Sequence, residues 1–168
     1  VPLALGEIKE NFTVTTNSAS LSSKEEIINQ AFKFHSEGKT SEAKKYYQLF
    51  INQGFKDQRV FFNYGSMLKS LGNLQEAETF YRKAIELNPD FTNAHYNLGN
   101  LLRDLGNLED AETSYRKTIK LNPDFTNAHL NLGNLLGELG KFKEAELSHR
   151  KAIELNPDLA NAYLNLGN

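Results

Sequence analysis

The chain repeats itself every 34 residues, and that period constrains its fold more than any other feature. Phe91-Thr-Asn-Ala-His-Tyr-Asn-Leu-Gly-Asn100 returns as Phe125-Thr-Asn-Ala-His-Leu-Asn-Leu-Gly-Asn134, and again as Leu159-Ala-Asn-Ala-Tyr-Leu-Asn-Leu-Gly-Asn168. Tyr81-Arg-Lys-Ala-Ile-Glu-Leu-Asn-Pro-Asp90 is echoed over 115–124 and 149–158. A unit this short cannot enclose a core by itself, so neighbouring units must stack and share one.

Each unit reads as two amphipathic helices. In the unit beginning at Thr92, Ala94, Leu98, Leu101, Leu102 and Leu105 follow helical spacing. Gly106-Asn107 ends that helix by supplying a residue that tolerates the left-handed conformation. Leu108, Ala111, Tyr115, Thr118, Ile119 and Leu121 form the buried stripe of a second helix. Asn122-Pro123-Asp124 stops it, because proline cannot continue a helix and restricts the residue before it. Gly99 and Ala111 are small where the two antiparallel helices must approach closely.

The landmarks His95, Leu98, Gly99 and Leu102, then Ala111 and Tyr115, then Pro123 resemble the pattern of tetratricopeptide repeats (TPRs). His129, Leu132, Gly133, Leu136, Ala145, His149 and Pro157 repeat it, as do Phe61, Tyr64, Gly65, Leu68, Ala77, Tyr81 and Pro89. Ile27, Gln30, Ala31, Phe34, Ala43 and Tyr47 carry a weaker copy. The expected fold is all-α: a right-handed superhelical α-solenoid of antiparallel helix pairs. Its repeats are expected at 24–57, 58–91, 92–125 and 126–159, with a truncated fifth at 160–168. Residues 1–23 lack periodicity and are expected to be a flexible leader, within which Val1 to Leu5 could act as an internal ligand. Repeat 1 departs from its sisters in Gln53-Gly54-Phe55 and in Phe50, which reads as an N-terminal cap.

Composition narrows the function. The formal net charge is −2, with no basic stripe, which argues against a nucleic-acid partner. There is no cysteine, so disulfides and thiolate metal sites are excluded. No apolar run approaches the ~20 residues of a membrane helix, and a cytoplasmic, membrane-free protein is expected.

The resemblance implies that the first helix of each unit lines a concave groove that binds a protein or peptide. With Leu98 and Gly99 buried, the helix phase turns Tyr96, Asn97, Asn100, Arg103 and Asp104 toward it. Asn29, Asn63, Asn97, Asn131 and Asn165 form an unbroken column at the repeat period, and Asn100, Asn134 and Asn168 a second one. A side-chain amide offers both donor and acceptor and so matches a peptide group. The first column resembles the asparagine ladder in the TPR region of O-linked N-acetylglucosamine transferases. The same amides could instead hydrogen-bond between helices. Ile28, Phe62, Tyr96, Leu130 and Leu164 form an apolar column, with Lys69 and Arg103 adding positive charge and Asp104 and Glu138 negative. Phe62, Tyr96 and Arg103 are the strongest anchor candidates, since aromatic and arginine side chains dominate binding energies. The lysine clamp of chaperone-adaptor TPRs is not expected, because Ile28, Phe62 and Tyr96 stand where its lysine would be.

No catalytic constellation or cofactor is expected. His95, His129 and His149 occupy positions where sister repeats carry aromatic residues, which reads as core filling rather than a metal site. Ser148 and His149 are helix neighbours and point in different directions. Gly140-Lys141 lacks the flanking residues of a phosphate loop. The end at Asn168, partway through a first helix, suggests a targeting arm of a larger glycosyl- or sulfotransferase, or an array that self-associates end to end.

Overall fold

The computed structural model describes the backbone of residues 16–159 and the side chains of residues 23–159. Its described residues are all helical or in turns, with eight helices: α1 (Thr16–Ser36), α2 (Thr40–Asn52), α3 (Gln58–Ser70), α4 (Leu74–Leu87), α5 (Thr92–Asp104), α6 (Leu108–Leu121), α7 (Thr126–Glu138) and α8 (Phe142–Leu155). They fall into two compact units, Val1–Phe55 and Lys56–Asn168.

In the first unit α1 pairs with α2. Here α1 starts at Thr16, ahead of the repeat boundary expected at residue 24. The departure at Gln53-Gly54-Phe55 is a different way of ending a helix. Gly54, at φ 73°, donates its N–H to Ile51 O, and Phe55 N–H reaches Phe50 O. That pair of bonds is a Schellman motif, and the Phe50 and Phe55 rings supply its apolar contact at 5.5 Å.

In the second unit each of α3/α4, α5/α6 and α7/α8 is a tight pair, and α4 packs on α5 as α6 packs on α7. The expected stripes are the core: Ala94, Leu98, Leu101 and Leu102 of α5 and Ala111, Tyr115 and Thr118 of α6 are buried. Leu108, Ile119 and Leu121 are only half-buried. Gly106 stands at φ 79°, as the turn after α5 requires. A Cβ placed on Gly99 would lie 2.8 Å from the Tyr115 ring, so the glycine is what lets tyrosine fill the pair. First helices also approach one another: α3 and α5, and α5 and α7, come within 8 Å Cα to Cα. The second helices do so less, so the stack curves with α3, α5 and α7 on its inner side.

Candidate functional site: the inner face of α3, α5 and α7

On α3, α5 and α7, the residue before the asparagine column is a half-buried apolar side chain: Phe62, Tyr96 and Leu130. The Phe62 ring packs 4.9 Å from that of Phe91, and Tyr96 packs 4.8 Å from Phe125. Each pair joins one first helix to the residue that precedes the next, so the aromatic column lies on the seam between repeats. Ile28, expected in the same column, is 1% exposed and offers no binding surface.

The two asparagine columns have different partners. The second column works within a repeat: Tyr115 donates its hydroxyl to Asn100 Oδ1 at 2.8 Å, and His149 Nε2 lies 3.1 Å from Asn134 Oδ1. Repeat 2 has Ser66 there, and Tyr81 donates to its hydroxyl at 3.1 Å. Repeat 1 has Phe32, and Tyr47 turns to His35 Nδ1 at 2.8 Å. The first column works between repeats. Asn131 donates through Nδ2 to Asn100 Oδ1 at 2.8 Å and to the Tyr96 hydroxyl at 3.1 Å. Asn131 also lies near enough to the Tyr115 hydroxyl, and Asn97 to that of Tyr81, to oppose part of the effect of burial on those phenols. Burial raises the pKa of both phenols, which therefore stay protonated donors. Asn63, Asn97, Asn100, Asn131 and Asn134 are half-buried, and Asn29 is exposed. Asn165 and Asn168, with Leu164, lie outside the described residues.

The charges cancel across the same seam. Lys69 pairs with Asp104 at 2.8 Å, and Arg103 with Glu138, each joining a residue to one 35 positions on. Hydrogen bonding to Glu138 raises the Arg103 pKa further. The sequence showed both signs on this face but not their pairing; the signal for it is a spacing of one period plus one.

The histidines set aside as ligands are held elsewhere. Nε2 of His95 hydrogen-bonds Pro89 O at 2.9 Å, and that of His129 bonds Pro123 O at 2.8 Å, tying each first helix to the preceding proline turn. His149 is 5% exposed, and burial lowers its pKa. No helix among the described residues is long and apolar enough to cross a membrane.

A stack of helix pairs with a neutral, amide-rich and partly aromatic inner face defines a helical-repeat solenoid. Sequence profiles described as TPR repeat match residues 65–102 and 99–140, and one described as Tetratricopeptide repeat matches 126–159. The chain belongs to the tetratricopeptide-repeat family. Comparison with curated protein sequences finds no match. Among solved structures it is similar to MamA, at 19% identity over 86% of this chain and 79% of that one, with a TM-score of 0.81. YrrB, described as a TPR protein with an unusual peptide-binding site, is 22% identical over 85% of this chain and 74% of its own, with a TM-score of 0.77. The first TPR of Spaghetti (RPAP3), solved bound to the HSP90 peptide SRMEEVD, is 24% identical over 66% of this chain and 87% of its own, at 0.64. At these identities the likeness establishes the fold.

Proposed function

We propose that this chain is a protein-interaction scaffold that binds a peptide or partner segment on the inner face of α3, α5 and α7, and contributes no reaction chemistry. One observation carries the reading: half-exposed Phe62, Tyr96 and Leu130 stand in a row on helices that approach each other directly. Aromatic side chains with one face packed and the other open are favoured anchors, because they lose little conformational freedom on binding. Phe91 and Phe125 stiffen Phe62 and Tyr96 from behind. Peptide complexes of other TPR proteins, such as that of Spaghetti with an HSP90 peptide, are consistent with this use of the fold.

Within this reading the site residues divide by role. Phe62 and Tyr96 are contact residues. Asn97, Asn100 and Asn131 tie neighbouring repeats together, Asn134 braces its own repeat through His149, and Asn63 continues the column on α3. Lys69 and Arg103 are ion-paired and contribute to shape more than to charge. The test is a peptide-library screen of the native chain against Phe62→Ala and Tyr96→Ala. Loss of most hits in both variants is expected, and retention of all hits in both would overturn the reading.

A further inference from the structure

The repeat geometry and the polarity of the inner face together select a kind of ligand. This inference rests on the groove-binding reading above and goes on to name the ligand class.

The apolar positions recur once per first helix. Tyr96 and Phe125 form one packed pair, Phe62 and Phe91 another, and Leu130 and Leu159 occupy the equivalent places in the next unit. Consecutive first helices are in contact, and the Asn131–Asn100 bond of 2.8 Å spans from one to the other. Helices in contact have axes about 8–10 Å apart. A ligand that places one side chain on each helix must therefore repeat its own pattern at about that distance. A polyproline II segment advances about 3.1 Å per residue, hence about 9 Å in three residues, and completes one turn in that length. A β-strand returns a side chain to the same face every two residues, about 6.6 Å, and next about 13 Å on. Neither strand spacing matches. An α-helix matches at seven residues, about 10.5 Å, but its backbone N–H groups are already used.

The hydrogen-bonding capacity of the face decides between the remaining two. Asn131 spends the two N–H groups of Nδ2 on Asn100 Oδ1 and the Tyr96 hydroxyl, and its Oδ1 accepts nothing from the described residues. The face thus offers an acceptor beside the aromatic column, which complements a chain with unused N–H donors. Charge points the same way. Lys69 is closed on Asp104 and Arg103 on Glu138, so the pairs balance and the face presents no net charge to a ligand residue.

We propose that the inner face takes an uncharged, extended segment of polyproline II form, with apolar side chains at i, i+3 and i+6 seated on Phe62, Tyr96 and Leu130, and one backbone N–H donated to Asn131 Oδ1.

The test is calorimetric titration of the full chain with capped synthetic peptides of serine and proline carrying leucine at i, i+3 and i+6. Matched peptides place leucine at i, i+2 and i+4, or on one face of a helix-forming alanine-rich sequence at i, i+7 and i+14. The three-residue spacing is expected to bind about tenfold or more tightly than either alternative. N-methylation of the peptide N–H facing Asn131 should remove a comparable factor without altering the protein. Equal affinity across the spacings, indifference to N-methylation, or tighter binding of the helical peptide would overturn the proposal. If the helical peptide binds and Tyr96→Ala abolishes it, the groove stands and only the ligand class falls. If no peptide binds, the ligand class falls, and the library screen decides the groove.

Discussion

Asn131 Nδ2 lies 2.8 Å from Asn100 Oδ1, and Asn100 Oδ1 in turn accepts the Tyr115 hydroxyl at 2.8 Å. A residue of one repeat is thereby fastened to a first and a second helix of the repeat before it. The amide column is the polar seam of the stack.

Asn131→Ala should accordingly destabilise the fold by about 1–3 kcal/mol, because it strands partly buried partners. Asn29→Ala, at an exposed position, should stay within about 0.5 kcal/mol. A double-mutant cycle on Asn100 and Asn131 by urea unfolding should return a coupling of at least about 0.5 kcal/mol. A coupling of zero would mean that the bond contributes nothing.

Glycines in equivalent helices should respond with opposite signs. A Cβ on Gly99 meets the Tyr115 ring at 2.8 Å, so Gly99→Ala should cost about 1–3 kcal/mol. Gly137 is helical, and a Cβ there meets nothing within 4 Å. Gly137→Ala should stabilise by about 0.4–1 kcal/mol through the unfolded chain. Thermal unfolding of the two variants checks both signs.

Acid should loosen the α7/α8 pair. Burial holds the His149 pKa below its ordinary 6.5. Above pH 6.5 the ring is neutral in the folded and unfolded chain alike, and the stability is fully present. As pH falls below 6.5 the unfolded chain takes up its proton first, so stability declines until pH has passed the lower folded value. Hydrogen exchange in α8 should therefore accelerate across that window. His149→Tyr, which installs the residue that Tyr81 and Tyr115 provide in sister repeats, should flatten the dependence. His35, also lowered by burial, should give the α1/α2 pair a dependence of the same sign.

The inner ion pairs should matter little for stability. Lys69 and Asp104 are partly exposed, as are Arg103 and Glu138, so Asp104→Asn should cost under about 1 kcal/mol, with the effect fading at high salt. A larger, salt-independent loss would show that the pair is more deeply embedded than its exposure indicates.

The helices were legible because the apolar period, the glycine stops and the Asn-Pro-Asp turns are local signals that tertiary packing reinforces. The cluster of Leu98, Leu101, Leu102, Ala111 and Tyr115 followed from spacing alone. Side-chain pairing was not legible. An asparagine column at the repeat period is equally compatible with a ligand and with a neighbour, and only the positions of Tyr96 and Asn100 give Asn131 its partners. Helix phase put Ile28 beside Phe62 and Tyr96, yet phase fixes direction and not what covers a residue, and Ile28 is buried. The charge pairs Lys69–Asp104 and Arg103–Glu138 depend on how far one helix is offset from the next, which the period does not contain.

The most direct test of the account is to map amide chemical-shift changes on the isotope-labelled chain during titration with a peptide selected by the library screen. Changes concentrated on α3, α5 and α7 around Phe62, Tyr96 and Leu130, and lost in Tyr96→Ala, are the expected result. Changes confined to α4, α6 and α8, with the inner face unperturbed, would contradict it.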